Sequence, residues 1–170
     1  RLLRRRPASV KGMCPFRPFR CKRVRGTMHA MAGREELIAS IAGFGLFADL
    51  TSPQLAGVVH TFEEMAFAEG ERVLRQGLSG GGFYVIIDGE AAVIVDGSER
   101  ARLGRGDYFG EVSVLLGDVP IADIVATRPL RCLVLAAPLV ETFLVANPRV
   151  MYRMLQAQSR RLVAATRWRS

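Results

Sequence analysis

The chain of 170 residues is 49% apolar and 24% charged, with a formal net charge of +8. That length allows one domain with a real core plus an extension, and no apolar run reaches the ~20 residues a membrane-spanning helix needs. The charge is uneven: residues 1–30 hold ten of the 24 Lys and Arg and no acid, leaving fourteen bases against sixteen acids over residues 31–170, so the globular part is slightly acidic and does not read as a nucleic-acid surface.

Residues 1–30 are predicted to be a disordered basic extension, because Pro7, Pro15 and Pro18 interrupt regular structure and the like charges repel. Several readings fit it. It is a basic arm for acidic partners; or an extension without a role, from a start placed too early, with Met28 or Met31 as the true start; or a targeting peptide, although it lacks an amphipathic helix and an apolar core. A fourth reading is a metal or cluster arm built from Cys14, Cys21 and His29 with Cys132. Only two cysteines lie in the arm, with six residues between them, so the tight C-x₂-C pair is absent. Three scattered cysteines argue against a disulfide framework and for a reducing, cytoplasmic setting.

The domain is expected over residues 31–170. Leu37, Ile38, Ile41, Phe44 and Phe47 repeat near the helical period, and the pattern predicts a helix over 34–47 that Gly43 and Gly45 break into a turn. Thr51 or Ser52 caps a second helix to about His60, with Pro53 in its first turn; His60 reads as a surface residue. From Thr61 the period falls to two. Strands are predicted over 62–67, 72–77, 83–90, 91–95 and 99–103, with Asp96-Gly97 as a hairpin turn. Gly80-Gly81-Gly82 reads as a hairpin connection, since neither a Lys nor a helix follows. Short apolar strands at 123–127 and 130–136 follow, with Cys132 as a core residue. Pro138 opens a helix to about Ala146, and Asn147-Pro148 caps a last helix over 149–168 with an apolar stripe of Val150, Met151, Met154, Leu155, Leu162 and Ala165.

Between these strands lies Gly106-Asp107-Tyr108-Phe109-Gly110-Glu111-Val112-Ser113-Val114-Leu115-Leu116, then Pro120-Ile121-Ala122-Asp123-Ile124-Val125-Ala126. This resembles the phosphate-binding cassette of cyclic-nucleotide-binding domains, F-G-E-[LI]-A-L-L, a spacer, then P-R-[TS]-A-[TS]-V. The continuous run from Gly77 to Glu111 is similar to the same family, of the Crp/Fnr type, and the resemblance covers about residues 36–167. It implies a mainly β fold with flanking α: an eight-stranded jelly-roll barrel with N-terminal helices and a C-terminal helix pair. It implies a ligand site of Phe109, Gly110, Glu111, Val112 and Ser113 on one side and Ile121, Ala122, Asp123 and Ile124 on the other. Ala164, Ala165 and Thr166 would add lid or adenine contacts, and Trp168 would stack on the ligand or shield the helix end. Some relatives hold an iron–sulfur cluster with N-terminal cysteines, which is the source of the cluster reading above.

The ligand such a site takes has a ribose hydroxyl and a cyclic phosphate. Gly110 lets the backbone pass close to the sugar, Glu111 is a carboxylate that accepts from hydroxyls, and a one-turn helix at about 111–116 turns N–H groups toward an anion. The alternative role of Glu111 is to cap local N–H groups and hold the turn. The second half departs from the pattern: Ile121 replaces the arginine, Ile124 replaces Thr or Ser, and Asp123 adds a negative charge that repels phosphate if it faces the pocket. Losing one partner of a desolvated charge pair costs about 2–5 kcal/mol, roughly 30- to several-thousand-fold in affinity. Arg102, Arg105 or Arg128 could substitute by swinging in, although each reads first as a solvated surface residue. The expected function is therefore a non-enzymatic, stand-alone regulatory or ligand-sensing module, with cAMP or cGMP as a weak ligand and no metal. The alternative is a ligand-free module in which Ile121 and Ile124 fill the pocket and the helices dock a partner. A homodimer through the C-terminal helix is the partner reading, and neither a DNA-binding domain nor a membrane span is expected in this chain.

Overall fold

The computed structural model describes residues 22–23, 30–78 and 81–167. The expectations for residues 1–30 fall almost wholly outside them, and so do Cys14, Cys21, His29 and Trp168. Two helices come first, α1 (Ala30–Ala42) and α2 (Ser52–Thr61). The helical pattern of 34–47 stops at Ala42, and the chain then turns through Gly43 to Asp49. α2 begins as its sequence demands: the Thr51 N–H donates to Gln54 Oε1 at 2.9 Å, and Pro53 occupies the first turn.

Eight strands form the roll: β2 (Glu63–Phe67), β3 (Arg72–Leu74), β4 (Gly82–Asp88), β5 (Ala91–Val95), β6 (Ser98–Leu103), β7 (Tyr108–Phe109), β8 (Asp123–Ala126) and β9 (Leu130–Ala136). A ninth, β1 (Lys22–Arg23), lies within the predicted extension and pairs with Ala66 and Met65 of β2. The order is β1-β2-β9-β4-β7 in one sheet and β3-β8-β5-β6 in the other, with every pairing antiparallel. Three helices complete the chain, α3 (Glu111–Leu116), α4 (Ala137–Ala146) and α5 (Pro148–Arg167).

β4 explains how these layers hold together. It is paired on both edges and buried along almost its whole length, so alternate side chains must serve two different cores. Phe83, Val85 and Ile87 join Leu133 and Leu135 of β9 in a core shared with α2, α4 and α5. Tyr84 and Ile86 point the other way, into a second core between the sheets, with Leu130, Cys132, Ile124 and Ala126. Each fully buried apolar side chain contributes about 1.5–3 kcal/mol of transfer free energy. A one-residue slip of β4 would exchange the two sets. Burial pushes the Cys132 thiol up to about 12, which keeps it an inert core residue at neutral pH.

The apolar stripe expected on α5 divides. Val150 and Met154 are buried against the helix-side core, whereas Met151, Leu155, Leu162 and Ala165 are exposed. No helix among the described residues is long and apolar enough to cross a membrane, and no group of three or more His, Cys, Asp or Glu among them could hold a metal ion.

Candidate functional site

β7 ends at Phe109, and the chain then makes a corner that only glycine can make. Gly110 has φ +85, and a Cβ there would stand 2.1 Å from the carbonyl oxygen of Gly82. The left-handed conformation alone costs a non-glycine residue about 1–2 kcal/mol; the backbone collision adds to that. The corner delivers Glu111 into the first turn of α3, where it is 3% exposed. Ser113, also buried, donates its hydroxyl to the Gly110 carbonyl at 3.0 Å and pins the turn.

This corner forms one wall of a cavity of about 310 Å³, at the lower edge of the ~300–1,000 Å³ range of small-molecule sites. Phe109, Gly110, Glu111, Val112 and Ser113 line it, and Ile121, Ala122 and Ile124 face them across it. The floor is apolar, with Leu74 from β3, Val93 and Val95 from β5, and Leu103 from β6. Ile121 lies at the mouth, 59% exposed, and Ile124 is buried in the floor. Both isoleucines line the cavity together with Glu111.

Asp123 is the site residue that does not join the cavity. The strand alternates, so with Ala122 and Ile124 turned inward Asp123 turns outward. Its carboxylate accepts from the Gln76 N–H at 2.7 Å and pairs with Arg72 at 3.4 Å. The repulsion considered for a pocket-facing Asp123 does not arise. Ala165 and Thr166 lie exposed on α5 outside the cavity, and the Thr166 hydroxyl donates back to the Leu162 carbonyl.

None of the three arginines considered as substitutes lines the cavity. Arg102 is taken by Glu90 at 2.9 Å and Glu99 at 2.8 Å. Arg105 donates to the Ser40 hydroxyl and lies over the Phe44 ring. Arg128 sits beside the Glu90 carboxylate, whose pKa is lowered first by the Thr127 hydroxyl and then by Arg102 and Arg128.

The cation that does reach the cavity is Arg161 of α5. Its Nη1 donates to Glu111 Oε1 at 2.6 Å, its Nη2 donates to the Tyr108 carbonyl at 3.1 Å, and the guanidinium lies 4.7 Å over the Tyr108 ring. Gln158 Nε2 donates to the same Oε1 at 2.6 Å. Glu111 is therefore neither free nor capping its own turn; it is a buried anion held by the final helix. A second clamp lies two turns earlier, where Arg153 donates to both oxygens of Asp49 at 2.7 Å and its hydrogen bonds hold that carboxyl below its usual range. Sequence reading missed Arg161 because it followed apolar residues. Val150, Met154, Gln158 and Arg161 share one face at i, i+4, i+8 and i+11, and that face continues the buried stripe in polar form.

Two antiparallel sheets closed around a Gly-Glu corner and flanked by helices define the class. Residues 64–147 match the family model of the cyclic nucleotide-binding domain. Among curated proteins the chain is 30% identical, over 105 residues, to the cGMP-dependent protein kinase egl-4 of Caenorhabditis briggsae; the match takes in 58% of this chain and 14% of that kinase. Among solved structures it is similar to the catabolite activator protein of Thermus thermophilus (26% identity, TM-score 0.66, 72% of this chain and 60% of that one). It is also similar to the regulatory subunit of a cAMP-independent protein kinase A from Trypanosoma brucei (25% identity, TM-score 0.63, 76% of this chain and 49% of that one). The chain thus spans a small part of the kinase and about half of each structural relative.

Proposed function

We propose that this domain is a ligand-sensing module in which a small molecule and the final helix compete for one carboxylate. The observation that carries the reading is the placement of Glu111, buried at the edge of an open cavity with its Oε1 held by Gln158 and Arg161. A ligand hydroxyl that enters the cavity and takes Oε1 would have to loosen those bonds. Binding would then weaken the hold on α5 and convert occupancy into helix movement. Two hydrogen bonds to a charged acceptor, at about 1.5–3 kcal/mol each, set the scale of the coupling.

A cyclic nucleotide is the ligand class that the match to the family model favours, and the egl-4 relative is named as cGMP-dependent. Binding would be weak for two reasons: Ile121 leaves the phosphate without its usual guanidinium, and the ligand must displace α5 from Glu111. A structural relative named as cAMP-independent leaves room for a ligand other than cAMP on the same fold. The exposed Leu155, Leu162 and Val163 favour a second reading, in which α5 docks a second copy of the chain.

Calorimetric titration of the chain with cAMP and with cGMP tests the first reading. Saturable binding is expected for at least one of them, weaker than about 1 μM, or about −8 kcal/mol. No binding of either at millimolar concentration would remove the cyclic nucleotide from the reading.

A further inference from the structure

We propose that the outer face of the roll carries a second ligand site, an arginine-lined cavity that takes a phosphate monoester. The cavity, of about 460 Å³, is larger than the cup at Glu111 and is built from three segments: the turn after α1, the Arg105–Tyr108 turn before β7, and one face of α5. Four arginines line it, Arg105, Arg153, Arg160 and Arg161.

Their charges are not equally spoken for. Arg153 is closed by Asp49 and Arg161 by Glu111. Arg105 donates only to a neutral hydroxyl, that of Ser40, while its guanidinium rests on the Phe44 ring. Arg160 makes no hydrogen bond or ion pair with any described residue. The lining holds one carboxylate, Asp107, and its Oδ2 already accepts from the Gly104 N–H at 2.9 Å. Two guanidinium groups on two segments that line one cavity, α5 and the turn before β7, thus lack an acidic partner among the described residues. A phosphate monoester suits them: it carries close to two charges and three acceptor oxygens, and each guanidinium offers a planar fork that matches two of those oxygens. A single carboxylate would bring only one charge against the two.

Arg161 lines both this cavity and the cup. A dianion that draws Arg161 outward leaves Glu111 with Gln158 alone, so the two sites would be coupled, and reciprocally. The outer site itself does not depend on the cup reading.

The test is an amide-shift titration of the chain with glycerol 2-phosphate, with sodium chloride at matched ionic strength as control. The expected result is saturable shifts at Phe44–Leu46 and Gly106 that chloride does not produce. Binding should weaken at least ~10-fold in the variant carrying Arg105→Gln and Arg160→Gln. Both positions are exposed, so the variant should fold, and an unchanged amide spectrum without ligand checks this; Arg160→Gln alone serves if the pair does not fold. Shifts that chloride reproduces, shifts confined to Val112 and Ser113 of the cup, or a variant that binds as well as the native chain would each overturn the proposal. Absence of cyclic-nucleotide binding would leave it untouched.

Discussion

Arg161→Ala is expected to lower the thermal midpoint of the domain by roughly 4–8 °C. Removing one partner of a fully buried ion pair costs about 3–5 kcal/mol, because the other charge is left stranded. Here the Arg161 side chain is 42% exposed and Glu111 is 4% exposed. Water can reach part of the gap, and Gln158 still donates to Oε1, so about 2 kcal/mol is the reasonable figure. At ~2–4 °C per kcal/mol for a domain of this size, that gives the stated shift. The asymmetry of burial also sets the order of the variants. Glu111→Gln strands only a guanidinium that can turn to solvent, and it should cost less than Arg161→Ala. In the double variant the buried charge is gone, so the two effects should fall short of additivity. Thermal unfolding of the four proteins measures this. Equal and additive losses would mean that the pair contributes nothing as a pair.

Ile121→Arg should raise affinity for a cyclic nucleotide by roughly 10- to 100-fold. Ile121 lines the cup mouth and is 59% exposed, so its replacement gives up little packing. A new guanidinium there could meet a cyclic phosphate held against Glu111. A hydrogen bond to a charged group is worth about 1.5–3 kcal/mol, and a partly wet mouth keeps the gain toward the low end. Asp123→Ala should not add to it, since Asp123 faces away and instead holds the Gln76 N–H and Arg72. Calorimetry on the two single variants separates these effects. A gain from Asp123→Ala without one from Ile121→Arg would mean that Asp123, and not Ile121, meets the phosphate.

Much of this fold was legible because its determinants are local. The local apolar pattern gave seven of the eight strands of the roll, the Thr51–Pro53 start gave α2, and Phe109-Gly110-Glu111 gave a corner whose geometry admits only glycine. What stayed hidden was long-range. That Asp123 points outward depends on where β8 pairs with β3 and β5. That Glu111 is held by Arg161 depends on the angle at which α5 returns across the roll, 50 residues later. Where Arg102, Arg105 and Arg128 lie was not legible either, because their partners Glu90, Glu99 and Ser40 are set by the folded chain.

The account rests most heavily on Glu111 serving either α5 or a ligand. Amide hydrogen exchange along Gln158–Thr166, without ligand and with the cyclic nucleotide at saturation, examines that choice directly. Exchange in this segment should speed up when ligand binds, while Val112 and Ser113 in the cup become protected. Protection in the cup with no change, or with slower exchange, along α5 would contradict the competition for Glu111.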